Sequence, residues 1–229
     1  VTILSNGTHD PEKGKLIGLK KATGELFTYI EADLYLRGNL WFKKMTLPFI
    51  KEEKIIASFT RYYSNNQDSK LNRFLTLDPI QRDPLHRFFT PSVEDTIVDK
   101  KNDYYICSFS YNKIPPMGLC LYRKNLLDKI YRNKKLKRNG FLELDTLVSL
   151  VENGYNQFAY VPDAGYYHHH VKGLADFLIK RKRNLIKVFL PDEEKRKFRW
   201  VDLSSLSGKL KILMWIIYSE SLILPFVNG

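Results

Sequence analysis

The sequence predicts an α/β domain with a partly parallel sheet. Three observations carry this. Short β-rich runs alternate with amphipathic stretches along most of the chain, the pattern of strands joined through helices. One such run, LFTYIEA, stops at two acids one residue apart, Glu31 and Asp33, and ligands of open α/β sheets gather at the carboxyl ends of strands. The 229 residues are 44% hydrophobic and 14% aromatic, enough for a real core and against wholesale disorder.

The elements follow in order. VTILSNG reads as a strand running into a turn. Gly14 to Glu25 reads as a helix with Leu16, Leu19 and Ala22 on one face and Gly24 as its stop. LFTYIEA is a strand. After a turn at Arg37-Gly38-Asn39, LWFKKMTLPFI is a helix that Pro48 should end. KIIASFTRYY is a second strand. Ser64 to Pro91 is polar and carries Pro79, Pro84 and Pro91, so loop with short helices is expected. DYYICSFSY is strand-like, and MGLCLYRKNLLDKIYR passes from strand to helix near Arg123. DTLVSLVENGY is an amphipathic helix closed by Gly154, with Asp145 or Thr146 able to cap it. FAYVP is a short strand, and VKGLADFLIKRKRNLIKVFL a long basic helix.

Charge and cysteines bound the partners. There are 37 Lys and Arg against 25 Asp and Glu, a net +12. That favours polyanionic neighbours: nucleic acid, diphosphates or an acidic lipid surface. Cys107 and Cys120 lack metal-ligand spacing and read as buried, reduced thiols.

Four constellations could do chemistry. Glu31 and Asp33 could turn toward one divalent cation, since magnesium and manganese take carboxylate oxygens alongside substrate phosphates. They could equally cap the next helix or sit in solvent. Glu143 and Asp145 begin a helix, where carboxylates suit the macrodipole and where a general base could stand. His168 to His170 follow a strand, and successive side chains point apart, so one or two at most serve one metal. Lys180 and Arg183 share a helix face, either for an anion or as a solvated basic surface.

The order and spacing of these pieces resemble the family 2 glycosyltransferases, which have the GT-A fold. The resemblance runs from Gly14 to Asn184. It comprises Gly18-Leu19-x-x-Ala22-x-Gly24-Glu25, then Glu31-Ala32-Asp33, then MGLCLYRKNLL, the acidic helix start ending in Gly154-Tyr155, YVPDA with His168, and Phe177 with Lys180 and Arg183. It implies a three-layer sandwich around a mostly parallel mixed sheet. Residues 1–170 would form the catalytic domain, and 171–229 a basic and apolar helical segment. It implies an inverting transfer of a sugar from a nucleotide-diphosphate donor to a hydroxyl acceptor, dependent on Mn or Mg. Asp33 and Glu31 match the family's D-x-D motif, with Glu replacing its first Asp, and His168 matches the histidine that approaches the metal or diphosphate. Glu143, and second Asp145, match the catalytic base. Lys15, Gly118, Lys180 and Arg183 fall to diphosphate and substrate contacts.

Two departures stand beside this. Leu142 replaces the Glu of the family's acidic pair. SNGTHD resembles the family's second nucleotide-binding turn, with Ser5 in place of its acid, yet it meets the first helix almost at once, and no P-x-Y-N turn occurs. N-terminal segments of the family are therefore expected to be missing or shortened here. The alternative is a degenerate, non-catalytic module that binds anionic lipid or nucleic acid through Lys172 to Lys187. Nucleic acid is not the expected partner, because no exposed aromatics interleave with the cations. A nucleotidyltransferase would need a glycine-rich, basic N-terminal signature, which is absent.

Leu210 to Val227 is apolar but interrupted by Lys211, Glu220 and Pro225. With the upstream KRKRN it suggests a chain that lies on, or leads into, the cytoplasmic face of the cell membrane. An ordinary buried helix is the other reading. A membrane setting suits a lipid-linked or membrane-proximal acceptor.

Overall fold

The computed structural model describes residues 4–8, 10–77, 89–111, 113–132, 140–169, 171–186, 190, 197–198 and 205–220. Helix α1 (Pro11–Lys21) begins earlier than the apolar spacing indicates. Asp10 caps it, accepting from the Glu12 and Lys13 N–H groups, and Pro11 supplies the preset φ of a first turn. Strand β1 is only Leu26–Phe27, and β2 is Leu34–Leu36. Helix α2 (Trp41–Lys51) runs through Pro48 instead of ending there. Pro48 lies in the last turn, and its ring is buried on the same face as Trp41 and Met45, so packing offsets the lost hydrogen bond.

The run KIIASFTRYY splits into β3 (Ala57–Phe59) and β4 (Tyr62–Tyr63), which enter different sheets. Helix α3 (Lys70–Leu75) is capped by Ser69. Strands β5 (Ile97–Lys100) and β6 (Tyr105–Ser108) form a hairpin. Then come β7 (Cys120–Arg123), α4 (Lys124–Arg132), α5 (Glu143–Glu152), β8 (Gln157–Tyr160) and β9 (Tyr166–His168). Gly154 closes α5 at φ +83°, as expected, but no side chain caps its start: Leu142 holds that position, and Asp145 and Thr146 lie inside the first turn. The chain continues through α6 (Leu174–Asn184) and α7 (Leu206–Glu220). The expected apolar segment extends to Val227, and its last seven residues lie outside the described ones.

The α/β class holds, and the sheet is mixed. Its six strands lie in the order β1-β7-β3-β8-β6-β5. The expectation of mostly parallel pairing is corrected: among the described strands of this sheet only β3 and β8 pair in parallel, and the other four pairings are antiparallel. Strand residues carry no signal for direction. The β5–β6 hairpin and the return of β7 between β1 and β3 set it.

Alternation along the strands feeds two cores. On one face Phe59, Cys107, Cys120, Tyr122 and Phe158 pack with Leu16 and Leu19 of α1, Leu127 of α4 and Leu147 of α5. On the other, Ile106, Leu121 and Ala159 pack with Trp41 and Met45 of α2. Ser58 donates from the sheet to the Met45 carbonyl at 2.8 Å, so even its buried hydroxyl is satisfied. Cys107 and Cys120 are both free and buried. A second, three-stranded sheet, β2-β9-β4, stands at the carboxyl ends of β3 and β8.

Candidate active site

Glu31 and Asp33 lie in the turn between β1 and β2, where the Leu34 N–H donates to the Glu31 carbonyl at 3.1 Å. Strand β2 then pairs antiparallel with β9, Leu34 opposite His168. That register carries Asp33 to the end of β9. The His169 N–H donates to the Asp33 carbonyl at 3.1 Å, and His168 Nε2 stands 3.4 Å from Asp33 Oδ2. Ligand atoms of Glu31, Asp33 and His168 lie within 4.8 Å of one another. The three residues named for a metal therefore meet, although 135 positions separate Asp33 from His168 (168 − 33).

The end of β9 is held from behind. The buried Asn72 amide donates to the His168 carbonyl at 2.9 Å and accepts from the Val171 N–H at 3.1 Å. Asp68 meets His169 Nδ1 at 2.7 Å. Tyr62 stacks on the His168 ring, with centroids 6.1 Å apart.

Lys15 reaches in from α1. Its ammonium is 2.7 Å from Glu31, 3.1 Å from Glu12 and over the Tyr29 ring. Burial works against this charge, but Glu12 and Glu31 outweigh it and hold the Lys15 pKa above its ordinary value.

Glu143 stands at the start of α5, where the helix dipole favours a carboxylate. The Tyr122 hydroxyl donates to it at 3.0 Å, and Tyr29 is a second hydroxyl partner. Burial is the largest influence and raises the Glu143 pKa, against the lowering by these hydroxyls and by Lys15. Lys15 and Tyr29 thus link Glu143 electrostatically to the Glu31 end of the cluster.

The other named residues fall differently. Asp145 is buried at 2% exposure, and its carboxylate accepts from the Phe198 N–H at 2.9 Å, tying a later segment to α5. That contact fits an anchor rather than a base. Gly118 is required by packing: a Cβ there would lie 2.1 Å from the Thr60 carbonyl oxygen. It lines a cavity of about 310 Å³ with Thr60, Tyr62, Glu94 and Tyr160. Tyr62, shared with the His168 stack, makes that cavity the neighbour of the cluster. Lys180 pairs at 3.4 Å with Asp176, one turn back on α6, and Arg183 is exposed on the last turn of that helix.

Sequence reasoning did not find Tyr29, Tyr122, Asn72 or Asp68. Tyr122 had a signal: alternation from Cys120 puts both on one strand face, now seen to face Glu143. Asn72 and Asp68 had none, lying in a polar stretch with no periodicity.

No protein-family model matches the chain, and no match is found among curated proteins.

Proposed function

We propose that the protein is an inverting, metal-dependent glycosyltransferase with a GT-A-like arrangement. It would move a sugar from a nucleotide-diphosphate donor to a hydroxyl acceptor. The observation that carries this reading is the convergence of Glu31, Asp33 and His168 beside a half-buried, hydroxyl-bonded Glu143.

The donor set fits a divalent cation. Two carboxylates and one imidazole suit manganese or magnesium, and a three-residue set leaves positions for phosphate oxygens. Asp33, His168 and Glu31 would hold the ion, which supplies positive charge against the charge growing on the leaving diphosphate. Glu143 accepts the acceptor's hydroxyl proton as the oxygen bonds to the anomeric carbon. The bond from that carbon to the diphosphate breaks in the same displacement, so the configuration inverts. A carboxylate whose pKa is raised by burial is a stronger base than an ordinary one, while its hydroxyl partners keep it aimed. Lys15 places a cation at the edge of the site, where a diphosphate oxygen can exchange for Glu31.

One observation favours the degenerate reading: Lys15 already neutralises Glu31 at 2.7 Å. Turnover of sugar nucleotides with and without manganese separates the two. The catalytic reading requires metal-dependent turnover that Asp33→Ala removes; full turnover by that variant sinks the metal assignment.

A further inference from the structure

We infer that α6 and α7 dock on the surface of an anionic lipid bilayer, with α7 lying in its plane. On α7, Leu206, Leu210, Leu213, Met214 and Ile217 recur at i, i+4, i+7, i+8 and i+11, which places them on one helix face. Each is 50–74% exposed. This is a complete apolar stripe turned to solvent. Helix α6 buries no residue, and its Leu174, Leu178 and Ile179, spread over an arc of about 140° at 100° per residue, are 57–68% exposed.

The cations decide the occupant. Arg181 and Arg183 flank the apolar arc of α6, and Lys182 falls within it, where a long stem can lie along apolar surface with its ammonium at the headgroups. A neutral protein groove would cover the apolar rows and leave the cations unmatched. A nucleic acid would match the cations and leave the apolar rows in water. An anionic bilayer surface satisfies both. The in-plane placement follows from the stripe: its exposed side chains run along one face of the described helix from Leu206 to Ile217. Among the described residues no helix is long and apolar enough to cross a membrane.

The surface is independent of the catalytic reading. The test is flotation of the full chain with vesicles of phosphatidylcholine alone and of phosphatidylcholine mixed with phosphatidylglycerol, at low and high salt. The protein should float with the mixed vesicles, less so at high salt. Replacing Arg181, Lys182 and Arg183 with Ala should weaken that partition on the order of tenfold or more. Leu210→Glu with Met214→Glu should remove it, with circular dichroism unchanged for both variants. Equal binding to neutral vesicles, or retention by the cation variant, overturns the anionic surface. Absent flotation with a dimer that the Glu variant dissociates makes a second copy the occupant instead, and salt-steep RNA binding without flotation makes it a nucleic acid; both overturn the proposal.

Discussion

At Glu143 two influences oppose each other. Burial raises its pKa, while the hydroxyls of Tyr29 and Tyr122 and the charge on Lys15 favour its ionised form. The net direction is upward, so protonation favours the folded state. Stability from this group is present below the ordinary glutamate pKa and is lost as pH rises through the raised value. Wherever the carboxylate is ionised, it is therefore a stability cost. Glu143→Gln should lower transfer on the order of 10²–10⁴-fold while raising Tm at neutral pH. A kinetic assay beside a thermal melt checks both, and a lowered Tm would contradict the account of burial.

Lys15 carries a second prediction. Under the proposed metal assignment it would compete with the cation for Glu31, so Lys15→Ala should tighten manganese binding to the free protein roughly two- to fivefold, the worth of a partly exposed ion pair. The same variant should raise the donor's KM. Isothermal titration and steady-state kinetics would read the opposed changes, and a loss of metal affinity would count against competition. This pairing was not legible in sequence, because Lys15 and Glu31 meet only when α1 packs across β1. The acids themselves were legible, as charges at the tip of an apolar run.

Elements position the site through register. Strand β2 is three residues long, too short for a period-2 signal. Strand β9 was hidden in the histidine run. Their pairing is nevertheless what joins Asp33 to His168. Asn72 secures that join by bonding both sides of the chain where it leaves β9. Asn72→Ala leaves a buried carbonyl and N–H unmatched. It should cost about 1–3 kcal/mol of stability and weaken manganese binding about 10–100-fold. Denaturation and metal titration measure the two effects. A stability loss with unchanged metal affinity would confine Asn72 to the fold. The longer elements, α5, α6 and the β7–α4 passage, were legible because their periodicity persists over two turns or more. The start of α1 was also written in the chain, in Asp10-Pro11, but apolar spacing alone overlooks a cap.

At the scale of the molecule, a mixed sheet covered on both faces holds its second, smaller sheet over one end. Chemistry-bearing residues gather where the two sheets meet, and the exposed apolar and basic helices lie late in the chain. The α/β class follows from alternation of elements; strand direction does not, which is why parallel pairing was over-predicted. The resemblance to glycosyltransferases rests on six pieces in their order, and the candidate metal-ligand set is where two distant ones, Glu31-Ala32-Asp33 and His168, come together. Manganese binding, followed by electron paramagnetic resonance with and without a nucleoside diphosphate, addresses that set directly. The account predicts that the protein binds manganese more tightly when the diphosphate is present and that Asp33→Ala loses both effects. Binding that is unchanged in Asp33→Ala would contradict it.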